Sequence, residues 1–540
     1  MRWKIGWVLG LMLGAAAWAG CEGDIGGKDE PIGPSADELG VGEVGMRRLT
    51  AYEYDNLLRD LLGDDTRPAT TVLPEDLRTP YDNAYDDQVP SQVLIEGLET
   101  LARDAAQSLV LDASRRDAVV GCTPADPTDV ACLRSFIEHT GRLAWRRPLT
   151  PAEVDDLLAL GSSFMEQTGE PYAGIEVVLR AFLQSAELVY RLELGTPVNG
   201  QPDLYELNGY EIASRMAFLL WGSIPDDALL DLAAGGGLDT PAVRRDVAVT
   251  MLADPRARRQ LDRFHAMWLG YETLPHAPDI TSRMRQESAA LLERVIFDEP
   301  QSWLALFEST ESFLDDTLAA HYGLPAVGSS EPIWVDVSAS GRQGLLSHGS
   351  FLSAASNPGD TSPTKRGKLI RERLMCDPVP PPPPNVPADD PPDETLGNCK
   401  IDQYAVHRED PGCASCHSLM DPIGFGLENY DRAGVFRDHD DGKPECIIAG
   451  DGELTGIGTF NGPAELSTML VAEELLDACA VKQLYQYTMG RELDEQDDAA
   501  VGTLVEGFVE SGHRFDELVL SLVGHEAFGY RLSPAVEEGN

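Results

Sequence analysis

The sequence predicts a mainly α-helical fold, with helical domains in the N-terminal half and a smaller helical domain at the C-terminal end. Residues 49–53, 149–153 and 207–211 each read Leu, then Thr or Asn, two other residues and Glu. This pattern is a capping box, in which the Thr or Asn side chain and the Glu satisfy free N–H groups at a helix start. After the first box, apolar residues recur at helical spacing and Gly63 is placed to end the helix. Three similar helix starts therefore predict an α-rich N-terminal half.

The beginning of the chain is typical of an exported protein. Arg2 and Lys4 precede a short apolar stretch, residues 5–17, which is too short for a permanent membrane span. Trp18-Ala19-Gly20-Cys21 resembles a bacterial lipoprotein signal, so Cys21 is expected to carry a lipid anchor. An ordinary secretory signal with an incidental cysteine is the alternative. We expect a location in the bacterial cell envelope, as an outer-membrane lipoprotein facing the periplasm or the cell surface.

Composition along the 540 residues predicts several domains. Residues 21–45 are rich in Gly, Pro and acidic residues and read as a flexible tether after the signal peptide. Four short helices, at residues 404–408, 475–487, 497–508 and 515–523, are expected in the C-terminal domain. The predicted divisions are a signal peptide (1–20), the tether (21–45), three helical domains (46–120, 121–198 and 199–328), a basic helix with a proline-rich strap (329–400) and the C-terminal domain (401–535).

The charge balance limits the partners. The chain has 42 Lys and Arg against 90 Asp and Glu, which gives a formal net charge of −48. Such a surface repels nucleic acid and favours cationic partner proteins, including redox partners. Adaptation to a salty environment, where self-repulsion is screened, explains the same composition equally well.

The segment Cys413-Ala414-Ser415-Cys416-His417 is the most informative motif. Cys-x-x-Cys-His is the attachment sequence of c-type haem, in which two thiols bond the porphyrin and the adjacent imidazole binds the iron. The motif therefore predicts one haem c, with His417 as the proximal ligand, in a small cytochrome c-like domain. A zinc site built on these thiols is not expected, because a second Cys-x-x-Cys is absent.

Six other cysteines form an even set, as expected for disulfides in an oxidising compartment. Cys122 and Cys132 flank a short loop and are expected to pair with each other. The remaining four allow three connectivities. The preferred prediction pairs Cys376–Cys399 and Cys446–Cys479.

The sixth iron position is less well defined by the sequence. Met469 and Met489 lie downstream of His417 at spacings that suit a distal thioether, although each also suits a place in the core. His348 and His407 are further candidates. Arg366, in the basic helix, is expected to contact a haem propionate, with a surface role as the alternative. A backbone carbonyl of residues 421–422 is expected to orient the proximal imidazole.

Several segments together carry a family resemblance. The motif region 407–431 and the shorter segments 48–63, 145–150, 361–367 and 487–491 resemble the secreted cytochrome-like proteins of planctomycetes and myxobacteria. Those proteins are built from tandem domains of unknown function. The resemblance implies a c-type haem in the C-terminal third, behind a helical N-terminal half.

Three function classes follow from these observations. The leading hypothesis is an exported, lipid-anchored monohaem protein that acts in electron transfer. The second is a haem enzyme of peroxidase or oxygenase type, for which only His348, His407 and Arg366 are available as distal residues. The third is a surface binding or scaffold lipoprotein with an accessory haem. The helical half carries no hydrolase elbow, P-loop or His-Glu-x-x-His motif, so an independent enzyme there is not expected.

Overall fold

A computed structural model describes residues 33–357, 359–381, 392 and 394–533. The predicted signal peptide, the lipid anchor at Cys21, the first part of the tether and most of the proline-rich strap lie outside the described residues. The protein is mainly helical, with 57% helix and 9% strand, as the sequence predicts.

Short and medium-length helices build the first half of the chain. They are α1 (Ala36–Leu39), α2 (Ala51–Leu62), α3 (Ala69–Val72), α4 (Gln92–Leu111), α5 (Ala113–Val120), α6 (Val130–Ala144), α7 (Pro151–Thr168), α8 (Ala173–Leu183), α9 (Ala186–Val189), α10 (Gly209–Trp221), α11 (Asp227–Ala234), α12 (Pro241–Leu252) and α13 (Pro255–Trp268).

The second half is also helical, and π-helical turns at Arg294–Asp298 and Ile370–Leu374 extend two of its helices. The helices are α14 (Pro278–Glu293), α15 (Ala305–Glu308), α16 (Asp316–His321), α17 (Gly349–Ala354), α18 (Pro363–Leu369), α19 (Lys400–Gln403), α20 (Ala405–Glu409), α21 (Pro411–Phe425), α22 (Gly462–Ala472), α23 (Asp477–Met489), α24 (Asp498–Glu510) and α25 (Phe515–Val523).

The strands are short and pair antiparallel in small sheets. One sheet joins distant parts of the chain in the order β13-β4-β3, with Tyr530 of β13 opposite Glu206 of β4. The strands are β1 (Arg47–Arg48), β2 (Tyr190–Arg191), β3 (Thr196–Val198), β4 (Gln201–Glu206), β5 (Glu311–Leu314), β6 (Ile333–Asp336), β7 (Ser356–Asn357), β8 (Asp360–Thr361), β9 (His439–Asp440), β10 (Lys443–Ile447), β11 (Asp451–Leu454), β12 (Gly458–Asn461) and β13 (Tyr530–Leu532).

The three predicted capping boxes all form. Thr50, Thr150 and Asn208 each accept a hydrogen bond from the backbone N–H of the glutamate three residues on, and that glutamate accepts from the capping residue's N–H. Gly63 ends α2 with φ 65°, a left-handed conformation that glycine adopts without strain. The four helices predicted near the C-terminal end are present as α20, α23, α24 and α25.

Two apolar cores hold the molecule together. The first is formed by residues of α2–α9, including Leu101, Phe136 and Phe182, so the segments 46–120 and 121–198 share one core. The second contains residues from both 199–328 and 401–533. Its centre is a stacked pair, Trp268 and Trp303, with ring centroids 5.4 Å apart.

The C-terminal segment does not form a separate small domain. Phe508 of α24 and Phe515 of α25 pack against the Trp303 ring, with centroids 6.5 and 6.1 Å away. The structure therefore corrects the expected independent domain at 401–535. Its helices bury their apolar faces on the preceding helical segment instead of on one another alone.

Part of the expected tether also belongs to the body. Leu39, Val41 and Val44 are buried in the second core, and the Tyr485 hydroxyl donates to the Gly40 carbonyl at 3.1 Å. Residues 33–45 are therefore not a flexible tether. Burial of these three apolar side chains offsets part of the conformational freedom that the ordered backbone loses.

Three disulfides are present, and two differ from the prediction. Cys122–Cys132 forms as expected. The other pairs are Cys376–Cys479 and Cys399–Cys446, so the predicted pairing of these four was wrong. The chain folds back so that Cys376, before the proline run, bonds to Cys479 of α23. Cys399, after the proline run, bonds to Cys446 of β10. Within the described part of the chain, no helix combines the length and hydropathy needed to cross a bilayer.

Candidate functional site

The Cys-x-x-Cys-His motif occupies the first two turns of α21. Asp410 caps this helix by accepting from the Gly412 N–H at 2.7 Å, and Pro411 fills the first helical position. Cys413 and Cys416, three residues apart, lie on one face of the helix. His417 follows directly on the next position.

The two motif cysteines keep free thiols. Cys413 and Cys416 are partly exposed, and every other cysteine in the described residues is in a disulfide. The Cys416 Sγ lies 3.9 Å from the carbonyl oxygen of Pro380, at the start of the strap. The pair is therefore accessible and chemically available, whereas the other described cysteines are all oxidised.

Asp421 orients the His417 ring. His417 Nδ1 lies 3.1 Å from Asp421 Oδ1, one helical turn along α21. The Asp421 side chain is completely buried, and the Thr364 hydroxyl donates to its Oδ1 at 2.6 Å. Burial alone would raise the pKa of Asp421, but hydrogen bonds from His407, His417 and Thr364 outweigh it and lower that pKa. The group is therefore an ionised acceptor.

His407 shares the same carboxylate. Its Nδ1 lies 3.0 Å from Asp421 Oδ2, and its ring centroid is 3.7 Å from that of His417. An ionised carboxylate only accepts hydrogen bonds, so both Nδ1 atoms carry a proton, and in a neutral imidazole Nε2 then keeps its lone pair. Because His407 stacks beside His417, it does not lie across from it as a distal ligand must.

Two glycines bring Asp421 and Thr364 together. Gly367 of α18 meets the backbone of Met420, and Gly424 of α21 meets the backbone of Pro363. A side chain at either position would keep the two helices apart. This close crossing places Thr364 against Asp421, and so fixes the carboxylate that holds His417.

Arg366 is buried, and its side chain is engaged in hydrogen bonds within the protein. It is 2% exposed, and its two Nη groups donate to four backbone carbonyls at 2.7–3.0 Å and to the Glu428 carboxylate at 3.3 Å. Burial lowers the pKa of Arg366, with Glu428 opposing this effect. The side chain ties α18 to the chain that follows α21. A contact of its Nη groups with a haem propionate would require these bonds to break.

The other predicted ligands lie in packed surroundings. Met489 is buried in the second core at the end of α23, and Met469 is half-buried against Gly458. His348 is 3% exposed, with Nδ1 3.1 Å from the Ser288 hydroxyl and Nε2 3.9 Å from Glu287. His348 is not part of the group formed by His417, His407 and Asp421.

Sequence reasoning missed the role of the Asp421 side chain. A backbone carbonyl was expected to orient the imidazole, whereas the carboxylate does so. The signal was available, because Asp421 lies four residues after His417 and such pairs face each other on a helix. Thr364 and His407 gave no comparable signal, since they reach Asp421 from other helices.

The donor set fits a c-type haem. Two free thiols lie on one helix face, and the adjacent imidazole has its Nδ1 proton held by a carboxylate and its Nε2 lone pair available. A histidine that binds iron is typically held in this way. The thiols are not part of the group formed by His407, His417 and Asp421, so the arrangement does not resemble a Cys₂His₂ zinc site.

Five family profiles match the chain in tandem, and each describes a protein of unknown function. They are DUF1587 at residues 47–111, DUF1595 at 132–193, DUF1592 at 207–324, DUF1588 at 342–440 and DUF1585 at 458–528. These five domains of unknown function follow one another along most of the chain. The fourth match contains the whole site, including Thr364, His407 and Asp421. No curated protein and no solved structure matches the chain.

Proposed function

We propose that the protein is an exported, lipid-anchored, monohaem c-type protein that acts in electron transfer. Cys413 and Cys416 would form the two covalent links, and His417 Nε2 would bind the iron. Such a haem supplies a reversible one-electron iron couple. The chain supplies the attachment points and the surroundings that tune this couple.

The observation that carries the proposal is the combination of free thiols and an oriented imidazole on one helix. Three pairs of cysteines are oxidised, yet Cys413 and Cys416 are not paired with each other. Asp421 holds the His417 tautomer that leaves Nε2 free. A purely structural motif has no need of either feature.

The chain's own residues favour a carrier over a catalyst. A peroxidase or oxygenase needs acid–base groups on the side of the iron opposite the proximal ligand. Of the three residues considered for that role, Arg366 and His348 are buried in hydrogen-bond networks, and His407 stacks on His417 itself. The described site therefore offers little for oxygen or peroxide chemistry.

Location and partners follow from disulfides and charge. Three disulfides are typical of an extracellular or envelope protein. A lipid on Cys21 would tether it to the outer membrane, and a net charge of −48 would attract cationic redox partners. Association with such partners is expected to weaken steeply as salt is added.

An optical spectrum tests the proposal. The protein is produced in a host that attaches haem c, and the ferric and ferrous forms are recorded with and without peroxide and carbon monoxide. We expect a haem c spectrum that changes reversibly on reduction and reoxidation, and no reaction of the ferric form with peroxide. A high-spin ferric form that reacts with peroxide would instead favour the haem enzyme. Cys416→Ala should abolish covalent haem, whereas the matched control Ser415→Ala, at an exposed position between the thiols, should keep it.

A further inference from the structure

The cluster of His407, His417 and Asp421 has the composition of a metal site by itself. Its ligand atoms lie within 4.8 Å of one another. The two histidine side chains are 16% and 23% exposed, so an ion can enter from solvent, while the carboxylate is completely buried. Two imidazoles and one carboxylate are a ligand set that zinc and related divalent ions bind in proteins.

We propose that the haem-free chain binds one divalent transition-metal ion of the zinc class through His407 Nδ1, His417 Nδ1 and Asp421. A water molecule would complete a four-coordinate shell. The two thiols take no part. The ion would therefore use Nδ1 of His417 and no thiol, whereas the haem would use Nε2 of His417 and both thiols.

The spacing of the ligand atoms suits an ion. The two Nδ1···O distances are 3.0 and 3.1 Å. Around a tetrahedral zinc with bonds of about 2.0–2.1 Å, neighbouring ligand atoms lie roughly 3.3–3.4 Å apart. Each Nδ1 is therefore within a few tenths of an ångström of that spacing from one carboxylate oxygen, His407 from Oδ2 and His417 from Oδ1, and binding would bring both nitrogens onto one ion. Each imidazole would move its proton from Nδ1 to Nε2 through solvent as the ion enters.

The contacts that hold the ligands and the acidic charge of the chain also favour binding of a cation. The Thr364 hydroxyl donates to Asp421 at 2.6 Å and fixes the position of its carboxylate. His407 is held against Tyr404 in an edge-to-face contact, with ring centroids 5.1 Å apart. The site is thus largely preorganised, and the acidic chain around it raises the local concentration of cations.

Ion binding and haem attachment exclude each other at His417. A neutral imidazole has one lone pair, so a ring that gives Nε2 to iron must keep its proton on Nδ1. Its Nδ1 then donates to Asp421 and cannot bind a second metal. The ion would therefore occupy the chain before haem attachment and leave when attachment occurs, which makes metal supply a means of regulating maturation.

The test uses the full haem-free chain, made without the attachment apparatus, and titrated with Zn²⁺ in a calorimeter and with Co²⁺ in a spectrophotometer. We expect one equivalent to bind, with affinity at least tenfold weaker in His407→Ala. The matched control is His439→Ala, at an exposed histidine of β9, which should bind as the wild type does. Equal affinity in His407→Ala and wild type, or no binding at all, would overturn the proposal.

Two further experiments identify the ligands of the ion and test the metal site separately from haem attachment. The double variant Cys413→Ser, Cys416→Ser cannot attach haem but should bind Zn²⁺ unchanged. X-ray absorption of the zinc-loaded wild type should show only nitrogen and oxygen neighbours, with no sulfur at about 2.3 Å. Loss of binding in the double variant, or a sulfur shell, would overturn the three-residue site. Haem attachment in the wild type is scored independently, so either proposal can fail alone.

Discussion

The crossing of α18 and α21 gives the sharpest stability prediction, in Gly367→Ala. A Cβ at Gly367 would lie 2.6 Å from the Met420 carbonyl carbon, and ordinary contact begins near 3.4 Å. The Met420 carbonyl oxygen would lie closer still. Because this obstacle is backbone, the helices must separate by more than about 0.8 Å, the difference between these two values. Overpacking of this kind costs about 1–3 kcal/mol, or more against backbone. Alanine returns about 1 kcal/mol through helix propensity, so we expect a net loss of about 2 kcal/mol.

Hydrogen exchange of the α21 amides measures this loss locally. A cost of about 2 kcal/mol should speed the exchange of buried α21 amides through local opening by roughly 30-fold. The control is Gly502→Ala in α24, where an added Cβ meets no atom within 4 Å. That change should stabilise the protein by about 0.5–1 kcal/mol. Equal α21 protection in Gly367→Ala and wild type would refute the argument that the crossing depends on glycine.

Three further predictions concern a disulfide, a buried acid and the histidine support. Replacing Cys376 and Cys479 together by Ser opens a loop of 103 residues and should cost about 4–5 kcal/mol in urea unfolding; no loss would contradict the assignment. Burial would raise the pKa of Glu193, but neighbouring arginines lower it to about 2. The free energy of unfolding should therefore fall as the pH drops from 4.5 towards 2, and Glu193→Gln should flatten that slope. Asp421→Asn should raise the reduction potential of the haem form, because the neutral amide donates less electron density through His417; an unchanged potential would show that the carboxylate does not tune the iron.

Local patterns predicted much of the fold. The capping boxes at Thr50, Thr150 and Asn208 depend on four neighbouring residues, so the sequence alone defines them. The disulfide partners of Cys376 and Cys399 depend on how distant segments approach one another, and sequence spacing holds no record of that approach. The same limit explains why the packing of α24 and α25 on Trp303 was not foreseen.

The sequence identified the motif residues but not the side chains that support them. The motif from Cys413 to His417 is contiguous, so its residues were recognisable at once. Thr364 and His407 meet Asp421 only because α18, α20 and α21 fold together, and Arg366 was placed near haem because its burial is invisible in sequence. Arg366 is a basic residue in an acidic chain, which suggested a contact with a ligand. Its guanidinium group instead donates hydrogen bonds to backbone carbonyls.

The most direct test of the account is mass analysis of the motif peptide from protein made with a working haem-attachment apparatus. We expect one haem bound covalently to the peptide that contains Cys413 and Cys416, with both thiols consumed. Colourless, iron-free protein whose two thiols remain free to react with an alkylating reagent would contradict the haem function.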